Sequence, residues 1–87
     1  MKDFVKLLSQ LKSPAEAREM SELIFTRKER EILEMRIAIL KLLLSEEASH
    51  REIAAALKVS ISKVTAGSKA TQTAPGKVLA KFKKVYN

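Results

Sequence analysis

The sequence predicts an all-α fold of six short helices, two of which form a helix-turn-helix. Four serine or threonine caps each precede an apolar run that repeats with helical spacing. Hydrophobic residues make up 46% of the 87 residues but aromatic residues only 5%, and most of the apolar content is the Leu, Ile, Val and Ala that suit helices. A chain of this length supports one domain, residues 1–87, with a modest core if it folds alone.

Three helices are predicted before the helix-turn-helix. Ser13 and Pro14 end the first helix and begin the second, as its N-cap and its first helical residue. Thr26 caps the third helix, with Glu29 three residues later. The three helices cover residues 3–12, 14–24 and 27–44. We expect the second helix to bury Ala17, Met20, Leu23 and Ile24.

The third helix is apolar around nearly its whole circumference after its first two turns, from Ile32 to Leu44. A helix that is apolar all round has to be buried all round. Because 87 residues provide too little other protein to cover it, we expect an obligate homodimer with residues 1–47 as the dimerisation helices. The alternative is a central helix that is wrapped by its own neighbours.

Residues 48–70 have the pattern of a helix-turn-helix. Ser49 and Glu52 form a predicted capping box, and Ser60 caps a second helix eleven residues later. This spacing leaves room for a two-turn helix and a short turn, and the second helix of such a pair can enter the DNA major groove. The apolar positions of the motif are Ile53, Ala56, Leu57, Val59, Ile61, Val64 and Thr65.

The turn and the C-terminal segment complete the predicted elements. Lys58 lies in the turn, where glycine often provides a left-handed backbone, so lysine would cost about 1 kcal/mol there. We expect a loop over residues 71–76 and a C-terminal helix over residues 75–87. One side of this last helix is apolar, and four lysines lie against it: Lys77, Lys81, Lys83 and Lys84.

Positive charge is concentrated in the second half of the chain. Residues 1–47 carry nine basic and nine acidic side chains, whereas residues 48–87 carry eight basic side chains and one acidic side chain, Glu52. The net charge of +7 therefore lies around the helix-turn-helix, as expected of a face that binds phosphates. The sequence thus predicts a dimeric, sequence-specific regulator of transcription that binds double-stranded DNA at a near-palindromic operator.

Three stretches of the chain resemble the Trp repressor family. They run from Thr26 to Arg36, from Ser49 to Ile53, and from Val64 to Ser68 on the way to Pro75. The resemblance covers residues from Leu23 to about Pro75, well over half of the chain. The resemblance implies six helices per subunit in an intertwined homodimer, and repression of transcription when an amino-acid corepressor is bound.

Contacts with DNA are expected in the two motif helices. Arg51 is expected to contact a guanine, as the matching residue of the family does. Ile61 is expected either to contact a thymine methyl group or to pack partly buried, while Ser49 and Lys69 bind phosphates, which position a protein without specifying sequence. The full set is Ser49, His50, Arg51, Ile61, Ser62, Lys63, Thr65 and Lys69.

The resemblance also implies a corepressor pocket at Thr26, Arg36 and Gly67, with Arg36 paired to the ligand carboxylate. Ala66 replaces the arginine that lies against the indole ring of the corepressor in the family. An indole between two guanidinium planes gains cation–π attraction from both. We therefore expect weak binding of L-tryptophan at best, with another ligand or ligand-free DNA binding as alternatives, and no required cofactor.

Composition disfavours several other functions. The chain has one histidine and no cysteine, so we expect no metal site, no catalytic triad and no enzyme activity. No run has the length of a membrane span and the N-terminus lacks signal-peptide features, so we expect no membrane partner and a cytoplasmic, nucleoid-associated protein. Two alternatives remain open: a basic helical module at residues 77–86 that binds membrane surfaces or protein partners, and non-specific nucleoid binding.

Overall fold

The computed structural model describes residues 1–45 and 48–86, which form six α-helices and no strand. The all-α fold expected from the sequence is confirmed. Residues 46, 47 and 87 lie outside the described residues. The predicted dimerisation segment ends at residue 47, and the predicted C-terminal helix ends at residue 87. The helices are α1 (Lys2–Ser9), α2 (Pro14–Ile24), α3 (Arg27–Ser45), α4 (His50–Leu57), α5 (Ile61–Thr73) and α6 (Gly76–Tyr86).

The chain divides into two compact units, Met1–Ile32 and Leu33–Asn87, and the boundary falls within α3. In the first unit the rings of Phe4 and Phe25 meet edge to face, with centroids 5.9 Å apart and planes at 83°. A small cavity beside these rings is lined by half-buried Leu7, Leu11 and Met20. No residue of this unit is fully buried, so α1 and α2 have no enclosed core of their own.

Two details of the first unit differ from the prediction. The first helix ends at Ser9 and not at residue 12. The Ser9 hydroxyl donates a hydrogen bond to the Lys6 carbonyl (2.8 Å). The next two backbone N–H groups, at residues 10 and 11, donate to carbonyls three residues earlier (3.1 and 3.2 Å), so the α-helical pattern stops there. Leu23 and Ile24 were expected to be buried by α2, but in the single chain they are 77% and 47% exposed. An apolar side of α2 is therefore uncovered.

The core of the second unit lies where residues of α3, α4 and α5 come together. Ile39 of α3, Ile53 of α4 and Val64 of α5 are its largest buried side chains. Ala54 is buried as well, whereas Ala56 is exposed, so the prediction that Ala56 belongs to the apolar side is wrong. The reason is that α4 packs on α5 through residues 53, 54 and 57.

Helix α5 lies close to α3 at Gly67. A Cβ atom at this residue would be 3.0 Å from Cγ2 of Ile39 and 3.2 Å from Cδ1 of Leu43. Both distances are shorter than the ordinary carbon–carbon contact of about 3.5–4.0 Å. Glycine therefore allows a close approach of the two helices, at which a Cβ atom would force the side chains of Ile39 and Leu43 to shift.

Helix α5 is longer than predicted, because it continues to Thr73 instead of ending near residue 70. The expected loop over residues 71–76 is thus wrong for residues 71–73. The hydroxyls of Thr71 and Thr73 donate to carbonyls three and four residues earlier (2.6 and 3.2 Å), so both polar groups are satisfied inside the helix. The helix ends where Ala74 becomes extended (φ −69°, ψ 142°) before Pro75.

Lys58 connects α4 to α5 in the left-handed region of the backbone, at φ 56° and ψ 46°. Within the described residues it is the one non-glycine residue with positive φ. The turn therefore uses the backbone conformation that glycine favours, and Lys58 bears the steric cost of its Cβ there.

Replacing Lys58 by glycine is expected to raise the free energy of unfolding by about 0.5–1 kcal/mol, because the strained Cβ contact is removed. Urea unfolding followed by circular dichroism measures the change. Lys58→Ala is the matched control, since it removes the charge but keeps the Cβ, and no gain is expected. An equal gain for Lys58→Ala would show that charge, and not backbone strain, is the cause.

Candidate nucleic-acid interface

A capping box fixes the start of α4, as predicted. The Ser49 hydroxyl accepts a hydrogen bond from the backbone N–H of Glu52 (3.2 Å), and the Glu52 carboxylate accepts one from the backbone N–H of Ser49 (3.0 Å). The bond from the Ser49 backbone, followed by that from its side chain, lowers the pKa of Glu52 below its ordinary value of 4.5. The first turn of α4 is therefore held in one conformation.

Three of the predicted DNA-contact residues lie together at this helix start. Ser49, His50 and Arg51 are consecutive and all exposed. The backbone N–H groups of a helix N-terminus and the helix dipole both favour an anion such as a phosphate. The structure thus presents three exposed polar side chains at the capped start of α4.

Helix α5 has one buried and one exposed side. Val64 and Gly67 are buried, and Ser60 begins the helix by accepting a hydrogen bond from the backbone N–H of Lys63 (3.3 Å). Ser62, Ala66 and Lys69 recur at intervals of four and three residues on the opposite side, which is exposed. Among the predicted contact residues of α5, Ile61, Ser62, Lys63 and Lys69 are exposed and Thr65 is half-buried.

The basic side chains of these helices have no carboxylate partner among residues 1–45 and 48–86. The ion pair found there joins Nε of Arg27 to Oε1 of Glu31 (3.5 Å), two exposed residues of α3. The single acidic residue among residues 48–87, Glu52, is used in the capping box. Within the described residues, no carboxylate thus competes with phosphates or base edges for Arg51 and the lysines of α5.

Comparison with known proteins identifies the family of this chain. The family model described as Trp repressor protein matches residues 1–85. The chain belongs to the Trp repressor family. A Trp operon repressor homolog of Chlamydia caviae is 40% identical over 68 residues, which cover 78% of this chain and 67% of that protein. The resemblance of the three sequence stretches is confirmed, and the Trp repressor family is one of transcriptional repressors and not of enzymes.

In this member of the Trp repressor family, the three residues predicted to bind a corepressor differ from one another in their surroundings. Thr26 caps α3, since its hydroxyl accepts from the backbone N–H of Glu29 (3.1 Å). Arg36 is exposed on α3, without a carboxylate partner among the described residues. Gly67 is buried against Ile39 and Leu43, and its neighbour Ala66 is exposed. Gly67 thus has a packing role besides the ligand contact predicted for it.

Two exposed residues of α5 are not predicted by the sequence pattern. The expected loop includes Gln72 and Thr73, but the longer helix brings them onto α5. Thr73 lies one turn after Lys69 and extends the exposed side of the helix. The sequence contains no glycine or proline between residues 68 and 74, so Pro75 is the first helix-breaking residue after Gly67. This absence could have indicated that α5 includes Gln72 and Thr73.

Two further findings concern the part of the chain that the structure describes. No three His, Cys, Asp or Glu side chains in it are grouped so that they could hold a metal ion. None of its helices has the length and apolar character needed to cross a membrane.

Acid is expected to weaken the capping boxes of α3 and α4. Hydrogen bonds from Thr26 and from Ser49 lower the pKa of Glu29 and Glu52 below 4.5 in the folded chain. Each carboxylate therefore stabilises the folded state above pH 4.5, and this contribution is lost as the pH falls through the lowered pKa. The melting temperature is expected to fall less from neutral to acid pH in the double variant Glu29→Gln/Glu52→Gln than in the wild type, because the two glutamines do not titrate. An equal fall in both proteins would contradict the stabilising role of the two carboxylates.

Proposed function

We propose that this chain is a dimeric repressor of transcription that binds a near-palindromic DNA operator through α4 and α5. The observation that carries the proposal is a pair of packed helices, α4 with a capped start and α5 with one exposed side, whose Arg51, Lys63 and Lys69 are free of carboxylates in the described residues. In such a motif the second helix enters the major groove. The name of the Chlamydia caviae relative, a Trp operon repressor homolog, supports a trp operon as the target.

The contact residues have separate roles in this proposal. Arg51 reads a guanine, because its guanidinium can donate to O6 and N7 at the same time. Ile61, which is 50% exposed at the start of α5, contacts a thymine methyl group. Ser49 and Lys69 bind phosphates and fix the position of the motif on the duplex. The remaining members of the contact surface are His50, Ser62, Lys63 and Thr65.

Selection from random duplexes is expected to enrich a near-palindrome whose half-sites lie about one turn of DNA apart, roughly 34 Å. Arg51→Ala is expected to weaken binding to the selected duplex by about 1–3 kcal/mol and to relax preference at one base pair per half-site. Lys69→Ala, the matched control, is expected to weaken selected and random duplexes alike. Fluorescence anisotropy measures both effects.

Two results would contradict this assignment. Equal losses of Arg51→Ala on selected and random duplexes would contradict a base-reading role for Arg51. Failure of any sequence to be enriched would favour non-specific nucleoid binding over a sequence-specific repressor.

The uncovered apolar surface supports the homodimer. Only four hydrophobic side chains of the described residues are buried, although 46% of the chain is hydrophobic. On α3, which was expected to be buried all round, Ile32 and Leu33 are 57% and 43% exposed. In the second unit an open groove of about 670 Å³ lies between Ile37 and α6, lined by apolar side chains of α6 together with Lys77 and Lys81. Apolar surface of this extent marks a protein interface, and a second copy of the chain is the proposed occupant.

Sedimentation equilibrium is expected to show a dimer at micromolar concentration. Val78→Asp is expected to weaken dimerisation at least about tenfold, because it brings a charge into the apolar groove. Ile61→Asp is the matched control: both side chains are 50% exposed in the single chain, but Ile61 lies on α5, so the dimer is expected to persist while DNA binding is lost. A folded wild-type monomer at micromolar concentration would overturn the dimer.

An amino-acid corepressor is the proposed regulator, with Thr26, Arg36 and Gly67 as its contacts. The exposed guanidinium of Arg36 binds the ligand carboxylate. Ala66 provides no charge for the face of an aromatic ring, so L-tryptophan binds weakly, and another amino acid or ligand-free DNA binding are the alternatives. A ligand represses only if it binds the DNA-competent arrangement more tightly than the other one.

Calorimetry is expected to show stronger binding of L-tryptophan by Ala66→Arg than by the wild type, because a guanidinium over the indole face adds cation–π attraction. Ala66→Gln is the control for side-chain size without charge, and a smaller gain is expected. Tight binding by the wild type that Ala66→Arg leaves unchanged would show that Ala66 does not line the pocket.

A further inference from the structure

We propose that an acidic side of α2 in one copy of the chain fills the groove beside α6 in the other copy. The inference rests on the proposed homodimer, and it names the segment of the second copy that covers the groove. The groove is the one of about 670 Å³ next to Ile37, and it is called the basic groove below. The acidic side of α2 consists of Glu16, Glu19, Met20 and Leu23.

The acidic side of α2 has the spacing of a helix that docks into a groove. Its four residues occupy positions i, i+3, i+4 and i+7, which share one side of an α-helix. They line an open hollow of about 300 Å³, in which Leu23 is 77% exposed in the single chain. Neither Glu16 nor Glu19 forms an ion pair within residues 1–45 and 48–86. Two uncompensated carboxylates therefore accompany an apolar side chain that the single chain leaves uncovered.

The basic groove has the complementary pattern. Lys77 and Lys81 are one helical turn apart and line it together with apolar side chains of α6. Among these, Val78 and Val85 are 50% and 63% exposed. A groove of this composition suits an amphipathic helix whose apolar side chains are accompanied by negative charge.

Net charge selects α2 among the six described helices. Three acidic side chains and one basic side chain give α2 a net charge of −2, whereas each of the other five helices is neutral or positive. Two copies of α6 that face each other would place lysine against lysine, and two copies of α2 would place glutamate against glutamate. Pairing α2 with α6 of the other copy instead brings opposite charges together.

A two-fold dimer makes this pairing twice. When α2 of one copy contacts α6 of the second, symmetry requires α2 of the second copy to contact α6 of the first. Both surfaces of each chain are then covered, and neither is left to bind a third copy. The pairing therefore closes at the dimer and does not propagate into a filament.

The test uses two charge reversals at exposed residues. Glu16→Lys/Glu19→Lys makes both surfaces of a chain basic. Lys77→Glu/Lys81→Glu makes both surfaces acidic. Each variant alone is expected to dimerise at least about tenfold more weakly than the wild type, because every α2–α6 contact between its copies joins like charges.

Mixing the two variants is expected to restore the dimer. In a heterodimer of the α2 reversal and the α6 reversal, both α2–α6 contacts join opposite charges. The two variants are refolded together from urea, so that chains can exchange. Sedimentation equilibrium that follows a fluorophore on the α2 reversal is expected to show a heterodimer of nearly wild-type affinity.

A further variant controls for net charge. The α2 reversal adds four positive charges to a net charge of +7, which by itself increases repulsion between copies. Lys63→Glu/Lys69→Glu has the same net charge as the α6 reversal, but its reversed residues lie on the exposed side of α5. It is expected to form its own dimer and to leave the labelled α2 reversal without a partner.

Each outcome supports or overturns the pairing. A heterodimer with the α6 reversal, but not with the α5 control, supports it. Undiminished dimers of both reversals overturn it, because something other than α2 then covers the basic groove. Weak dimers that mixing fails to restore, or that the α5 control restores equally, overturn it as well. In all these cases the wild type is a dimer, whereas a wild-type monomer would overturn the proposed homodimer together with this pairing.

Discussion

The close packing of α5 on α3 and α4 is the interaction on which the rest of the candidate interface depends. Val64 is fully buried, and Gly67 lies so close to α3 that an added Cβ would be 3.0 Å from Ile39. Dense packing of this kind fixes the rotation of a helix about its own axis. The side of α5 with Ser62 and Lys69 is therefore exposed because the opposite side is packed against α3 and α4.

Local hydrogen bonds define the ends of these helices, and they are the features that a sequence shows most directly. The two capping boxes, at Thr26 and at Ser49, involve residues three positions apart, so their formation depends little on the remainder of the fold. Lys58 is the opposite case. Its left-handed backbone is a local cost that is tolerated because Ile53 and Val64, on either side of the turn, gain burial.

A feature could be predicted from the sequence when the residues that determine it lie close together in the chain. The caps, the all-α class and the family could be recognised because they depend on residue types at short, fixed spacings. The end of α5 was misjudged because Thr71 and Thr73 are usual in loops, and their hydrogen bonds to the helix carbonyls become visible only in three dimensions. Ala54 and Ala56 have the same side chain, so no composition rule distinguishes the buried alanine from the exposed one.

The residues of the candidate site likewise divide into those that the sequence predicts and those that it does not. Exposure of Arg51 and Lys69 follows from the helical period, and it could be predicted. The tight packing of Gly67 against Ile39 and Leu43 joins residues that are more than twenty positions apart in the chain, and nothing in the spacing indicates it. Hence the sequence located α5, but only the structure shows which atoms hold this helix in place.

The two sides of α5 also differ in how freely they can evolve. On the inner side, a change at Val64 or Gly67 alters the packing of three helices at once. On the outer side, Ser62, Ala66 and Lys69 are exposed and support no part of the core. Substitutions there leave folding nearly unaffected, since surface changes away from packed features rarely exceed about 0.5 kcal/mol. In the proposed DNA interface, new sequence preferences can therefore arise in a lineage by single mutations on one side of a single helix, without a compensating change elsewhere.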